Sequence, residues 1–191
     1  MKTRSDTSSV VDKSDVLLEA RGLSKGFPGV WEHLILDKLD FDVRSGEVHT
    51  LLGENGAGKT VIANILSGYY EKTEGEIRVK GKLVHFRSPR EGLAHGIAMV
   101  HQELMLVPAF TVAENIMMGL DVPLFSYDIT SVENRIRMLV ERYGLQVDPK
   151  ALVEDLSAGQ QQRVEILKVL FHEPEVLLLD EPTSLLTPSE A

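Results

Sequence analysis

The sequence predicts an α/β fold, with a mostly parallel central sheet, helices against it and antiparallel strands beside it. Three observations predict this. A glycine-rich stretch, Gly53-Glu54-Asn55-Gly56-Ala57-Gly58-Lys59-Thr60, sits between an apolar run, Val48-His49-Thr50-Leu51-Leu52, and a helix-like run from Val61 to Leu66. Two short, wholly apolar runs, Ile97-Ala98-Met99-Val100 and Val176-Leu177-Leu178-Leu179, have the make-up of central strands buried on both faces. Alternation of period two and a hairpin pattern place antiparallel strands in the first half of the chain.

The elements follow in order. Met1 to about Asp15 is rich in Ser, Thr, Asp and Lys and is expected to be a disordered tail. Val16 to Ala20 is the first expected strand, and Gly22 to Gly29 is turn-rich and contains Phe27. From Leu34 to Val43 the apolar Leu39, Phe41 and Val43 alternate with Asp40 and Asp42, which is strand periodicity. Val48 to Leu52 is the strand expected to feed the glycine loop, and the helix beyond it stops at Gly68. Gly75 to Phe86 reads as a hairpin turning at Lys80-Gly81-Lys82. Helix starts are marked by capping boxes at Ser88-Pro89-Arg90-Glu91, Thr111-Val112-Ala113-Glu114, Thr130-Ser131-Val132-Glu133 and Ser157-Ala158-Gly159-Gln160. Behind the third, Val132, Ile136, Leu139, Val140 and Tyr143 share one helical face, closed by Gly144. A fifth box, Thr187-Pro188-Ser189-Glu190, comes just before the last residue, so the chain is expected to be a fragment of a longer product.

Composition narrows the function classes. A length of 191 residues suffices for one substantial domain. The absence of cysteine removes disulfides, thiolate nucleophiles and Cys-based zinc sites. A net charge of -9 with no basic stripe argues against a general nucleic-acid binder. No apolar run approaches the roughly 20 residues that span a bilayer, and Lys2 and Arg4 are not followed by the apolar core of a secretory signal.

The chemistry is concentrated in three places. Gly53 to Thr60 has the form G-x-x-x-x-G-K-[ST], a phosphate-binding loop. Its glycines let backbone N–H groups turn inward onto phosphate oxygens, and Lys59 adds a compact positive charge. The Thr60 hydroxyl is placed to ligate Mg²⁺, and the helix that follows aims its N-terminus at the anion. Downstream, the strand Val176 to Leu179 ends in Asp180 and Glu181, a Walker B arrangement. Asp180 can hold the magnesium shell and Glu181 can orient water for attack on a γ-phosphate. The third place is Leu156-Ser157-Ala158-Gly159-Gln160, followed by Gln161-Gln162-Arg163.

This last stretch resembles the LSGGQ signature of ATP-binding cassette (ABC) ATPases, with Ala158 in place of the first glycine. With its motifs in the family's order, nearly the whole chain after the tail resembles an ABC ATP-binding domain, residues 16–191, of the P-loop NTPase class. The resemblance implies an antiparallel β-subdomain and an inserted helical subdomain from about 103 to 157. It implies ATP and Mg²⁺ as ligands, with Ser157, Gly159 and Gln160 facing the nucleotide of a second ATPase domain, fused or in a homodimer. Ser157 and Gln160 also suit a plain helix cap, and both roles are compatible. Phe27 falls where the family stacks an aromatic on adenine, although a core aromatic would look the same. Gln102 matches the family's Q-loop glutamine, which touches magnesium and the attacking water and whose loop contacts the transmembrane partner. Ser184-Leu185-Leu186-Thr187 falls at the D-loop.

Val100-His101-Gln102-Glu103, Thr111 to Ile116 and Leu186-Thr187-Pro188 resemble the first ATPase half of bacterial sugar and nucleoside importers. The implied function is the ATP-binding, and in the complete protein ATP-hydrolysing, subunit of such an importer. It would lie peripherally on the cytoplasmic face of the membrane, against permease subunits, and be served indirectly by an extracytoplasmic solute-binding protein. Some residues depart from the pattern. Val61 replaces a hydroxyl residue beside the phosphates, so its backbone N–H remains while one side-chain hydrogen bond, worth about 0.5–1.5 kcal/mol, is lost. Thr187 replaces the D-loop aspartate. The family's switch histidine would lie beyond Glu181 and past the last residue; His172 precedes the Walker B strand, on the wrong side to replace it, and His33, His49, His85, His95 and His101 are read as ordinary surface or turn residues. One alternative is therefore a nucleotide-binding module without hydrolysis. Another is an ABC-type translation or DNA-repair ATPase, which the acidic composition and the lack of basic insertions disfavour.

Overall fold

The structure, a computed structural model, describes residues 15–27, 34–120 and 128–181. The expected tail before Asp15, the D-loop and the fifth capping box lie outside the described residues. Two compact units divide the chain. The first draws on Met1–Glu54 and Lys72–His85, and the second on Asn55–Glu71 and Phe86–Ala191.

The first unit is an antiparallel sheet. Its strands are β1 (Val16–Lys25), β2 (Leu36–Arg44), β3 (Glu74–Val79) and β4 (Lys82–Val84), in the spatial order β2-β1-β3-β4. β1 is central and runs five residues beyond the expected Ala20. Its apolar residues Leu18, Ala20 and Leu23 are fully buried, and Leu18 and Ala20 face Val79 and Ile77 of β3. Register shifts between Ala20 and Leu23 let the strand continue past Gly22 without turning its buried face outward. The hairpin β3–β4 turns at Lys80 and Gly81, both at positive φ, as a tight two-residue turn demands.

The strand expected at Val48 to Leu52 is absent. Those residues carry no strand hydrogen bonds, and Val48 and Leu52 are 93% and 90% exposed. An apolar run becomes a strand only where a neighbour supplies the ladder and something covers its faces. Neither is present for this run among the described residues.

The second unit holds the helices α1 (Lys59–Leu66), α2 (Pro89–Ala94), α3 (Val112–Met118), α4 (Ile129–Tyr143) and α5 (Ala158–Leu170), with a 3₁₀ turn at Val153–Asp155. It also holds a parallel pair, β5 (Ile97–Val100) and β6 (Val176–Leu179), with Ile97 opposite Val176 and Val100 opposite Leu179. All four residues of β5 are buried, as expected, because helices pack against it. β6 departs from the expectation: Leu177 and Leu179 are exposed, since β5 is its sole ladder partner among the described residues. The described parallel sheet is thus two strands wide.

A helical core joins α3, α4 and α5 through Val112, Ile116, Val132, Ile136, Val164 and Leu167. Each such side chain taken out of water stabilises by about 1.5–3 kcal/mol. The capping boxes at Thr111 and Ser157 form with both reciprocal bonds. At Ser88 the hydroxyl accepts from the Glu91 N–H, but the Glu91 carboxylate turns to the N–H of Arg87 instead of the cap residue. The box expected at Thr130 does not form. Asp128 caps α4 by accepting from the Thr130 N–H, and Glu133 is drawn to Arg137 and Lys150. With Asp128 as the cap residue the helix begins at Ile129, so Thr130 lies inside its first turn and cannot serve as the cap.

Candidate functional site

The unit boundary runs through the glycine loop. Gly53 and Glu54 belong to the first unit, and Asn55 to Thr60 to the second. In the second unit Gly56 and Gly58 take φ of 84° and 91°, values that L side chains rarely adopt. Gly58 is the N-cap of α1, so the loop turns directly into the helix that begins with Lys59 and Thr60. α1 has no side-chain cap and no acid in its first turn, whereas α2, α3, α4 and α5 are all capped by side chains. A helix start left open in this way, beside two glycines at positive φ, suits a bound anion. Val61 follows inside α1, half-buried, and contributes backbone only.

The end of β6 meets this loop. Thr60 Oγ1 donates to Asp180 Oδ1 at 3.2 Å, across 120 residues of sequence. Asp180 is buried, and its own N–H donates to Val100 O, which ties it to the end of β5. A hydroxyl and a carboxylate oxygen so close are hard donors of the kind Mg²⁺ takes. That ion usually keeps waters and substrate phosphates and is not caged by protein alone. No cluster of three or more His, Asp or Glu poised for a metal occurs among the described residues.

Next along the chain, Glu181 sits at φ 47°, an uncommon left-handed position for a residue with a Cβ. Gln102, two residues past β5, donates from Nε2 to Glu181 Oε2 at 3.1 Å. Since β5 and β6 run parallel, their C-terminal ends place Gln102, Asp180 and Glu181 at one edge of the pair. Both carboxylates of the expected acidic pair therefore have a defined partner, Thr60 for Asp180 and Gln102 for Glu181.

The other expected site residues stand apart from these contacts. Ser157, Gly159 and Gln160 form the first turn of α5. There the Ser157 hydroxyl accepts from the Gln160 N–H at 3.3 Å and the Gln160 amide oxygen accepts from the Ser157 N–H at 3.0 Å. Ser157 itself is exposed. Phe27 lies in the first unit with Lys25 Nζ 4.7 Å from its ring centroid, and it is half-buried.

His101 is not the ordinary turn residue expected from sequence. Its ring stands edge-on to Tyr69 at 4.6 Å, and its buried Nε2 has no hydrogen-bond partner. Burial holds the imidazole below its usual pKa, against the pull of Glu165 and Asp180 and with a small push from Lys168. Burial likewise raises the Tyr69 phenol, with Glu165 adding to it. These rings line a cavity of about 200 Å³ together with Met99, Met105 and Ile116.

Three further polar residues went unnoticed in the sequence. Glu165 and Lys168 of α5 both bond the backbone of Met105. Asn115 of α3, buried, accepts from the Val107 N–H at 2.7 Å and donates to the carbonyls of Val107 and Thr111. A faint signal existed. On α5 the stripe Val164, Leu167, Phe171 runs beside Glu165, and Asn115 sits among Val112, Ala113 and Ile116, so each polar residue borders an apolar face.

Known proteins resemble this chain in sequence and in fold. The profile of the family described as ABC transporter matches residues 36–184. The chain is 53% identical over 155 residues to the nucleoside import ATP-binding protein NupA of Lactococcus lactis subsp. cremoris, covering 81% of this chain and 31% of that protein. It is 45% identical over 183 residues to the ribose import ATP-binding protein RbsA of Rhodopirellula baltica, covering 95% of this chain and 35% of that one. The chain thus spans about a third of the length of these relatives. Among solved structures, a nucleotide-free ATP-binding cassette from an ABC transporter superposes with a TM-score of 0.77 at 25% identity, covering 92% of this chain and 72% of that one. An ATP-binding cassette in its ADP conformation superposes with a TM-score of 0.78 at 26% identity, with the same coverages.

Proposed function

Because the chain belongs to the ABC transporter family, we propose that it binds ATP with Mg²⁺ and that the protein containing it hydrolyses ATP to drive import of a sugar or nucleoside. The observation that carries the reading is the 3.2 Å contact between Thr60 and Asp180, with Gln102 on Glu181 at the same end of the β5–β6 pair. A phosphate loop alone would suit many nucleotide-binding proteins. Its coupling to an acidic strand end and a glutamine gives it the parts of a hydrolytic site.

Each residue then has a role. Backbone N–H groups of the glycine loop, through Val61, and the Lys59 ammonium would hold the phosphates. Thr60 and Asp180 would hold magnesium, which neutralises phosphate charge when bound. Gln102 and Glu181 orient a water and accept its proton. Phe27 would stack on the base, and Ser157, Gly159 and Gln160 would meet the nucleotide of a second ATPase domain. The names of the relatives support the importer reading, and with it permease subunits as partners and a peripheral place on the cytoplasmic face of the membrane. No helix among the described residues is long and apolar enough to cross a membrane. The segment from about 103 to 157 is proposed as the helical subdomain.

Titration with Mg-ATP by calorimetry, followed by turnover of radiolabelled ATP, tests the proposal. Wild type binds, Lys59→Ala does not, and turnover requires Glu181. Binding without any Glu181-dependent turnover would favour the second reading, a nucleotide-binding module. That reading is motivated by Thr187, which stands at the D-loop position of an aspartate.

A further inference from the structure

Between Gln102 and Thr111 the chain forms neither helix nor strand. Such a loop is normally held only loosely, with its backbone groups solvated. Here a single residue, Met105, has both backbone groups taken by a charged pair from α5. Its N–H donates to Glu165 Oε1 at 2.6 Å, and its carbonyl accepts from Lys168 Nζ at 2.8 Å. The two side chains, three residues apart on the helix, are paired at 3.2 Å. Glu165 is only 7% exposed.

An ion pair with one buried partner is a poor way to gain stability, because desolvation of the Glu165 carboxylate offsets much of the attraction. What it can do is accept one geometry and reject others. The buried carboxylate satisfies a donor and the half-buried ammonium an acceptor on the same residue, so sliding the loop by one residue would break both bonds and leave the Glu165 carboxylate without its backbone donor. Met105 lies three residues past Gln102, whose amide bonds Glu181. The other end of α5 carries the Ser157–Gln160 cap. From Ser157 to Glu165 is eight residues of continuous helix, about 12 Å of rigid rod.

We propose that Glu165 and Lys168 are positioning residues: they lock the Gln102 loop to α5, so the helix that begins at Ser157 sets where the Gln102 amide stands beside Glu181. The inference rests on the reading of Gln102 and Glu181 as part of an ATPase site. A displacement of the Ser157 end would be carried along α5 to Met105 and on to the water-orienting glutamine.

The complete chain is compared as wild type, Glu165→Ala, Glu165→Gln and Lys168→Arg. Amide hydrogen exchange at Met105, the side-chain amide resonances of Gln102, ATP affinity and ATP turnover are measured. In Glu165→Ala, exchange at Met105 rises tenfold or more, the Gln102 side-chain resonances shift, and turnover falls tenfold or more while affinity stays within threefold. Lys168→Arg keeps all four near wild type. Leu139→Ala in α4 is the control for general softening, and leaves the ratio of turnover to affinity unchanged. If Glu165→Ala does not fold, Glu165→Gln retains its volume and shows the same changes to a smaller degree. Unchanged Met105 exchange, unmoved Gln102 resonances, or turnover and affinity falling together would overturn the proposal. A wild type that neither binds nor hydrolyses ATP would sink the reading of the site, while the exchange and resonance data still decide whether the lock exists.

Discussion

At Glu181 a carboxylate at φ 47° receives a hydrogen bond from Gln102, and this pairing divides the site's duties. In the proposed function phosphate binding falls to the glycine loop and Lys59, and action on water falls to Glu181. Glu181→Gln is therefore expected to keep Mg-ATP affinity within a few-fold and to lower turnover by roughly 10²–10⁴, measured by calorimetry and by phosphate release. Thr60→Val removes the hydroxyl that meets Asp180, and should weaken magnesium-dependent ATP binding more than magnesium-free binding. His101 adds a pH dependence. Its folded pKa lies below the usual value of about 6.5, so the unfolded chain takes up more protons between the two values. Stability is then complete above about pH 6.5 and falls as the pH drops toward the folded value. Glu165, Asp180, Lys168 and Tyr69 are the groups that face or act on the ring. Replacing His101 by Gln should flatten that acid-side fall in denaturation midpoints taken from pH 7.5 to 5.5. The glycine loop was legible in the sequence because positive φ favours glycine at positions 56 and 58 and the motif's spacing is local. His101 was not, because burial is contributed by neighbours such as Tyr69, 32 positions earlier.

At the scale of elements, capping chemistry is the most legible feature. The boxes at Thr111 and Ser157 form as read, since Ser or Thr followed three residues later by Glu or Gln satisfies two orphan donors locally. Thr111→Ala should cost about 0.5–2 kcal/mol in chemical denaturation. The Thr111 N–H and then its hydroxyl hold the Glu114 carboxyl below its ordinary pKa. Its contribution is therefore present above the unfolded value near 4.3 and is lost as the pH falls through the lower folded value. The Thr111→Ala penalty should shrink below pH 4 accordingly. α4 shows the limit of such reading. A threonine box was in plain view, but Asp128 two residues upstream took the cap because its carboxylate reaches the Thr130 N–H and Glu133 found cationic partners.

At the scale of the molecule, the two units depend on different packing. Ile136 in α4 is fully buried among α3, α4 and α5, and Ile136→Ala should destabilise by about 2–5 kcal/mol in thermal or urea unfolding. Val48 and Leu52 are nearly fully exposed, so Val48→Ser and Leu52→Ser should each change stability by less than about 0.5 kcal/mol. The sequence by itself determined the glycine loop, the acidic strand end, the capped helices and the order in which they occur, because each is written in contiguous residues by backbone geometry and hydrogen-bond chemistry. Only the tertiary structure decided which runs become strands and which side chains meet. Among the described residues the apolar run from Val48 to Leu52 has no ladder, while Ile97 to Val100 has one. Thr60 reaches Asp180 across 120 residues, and Glu165 and Lys168 close on Met105. Strand pairing and buried polar contacts depend on a neighbour distant in sequence, and no local pattern specifies which neighbour that is.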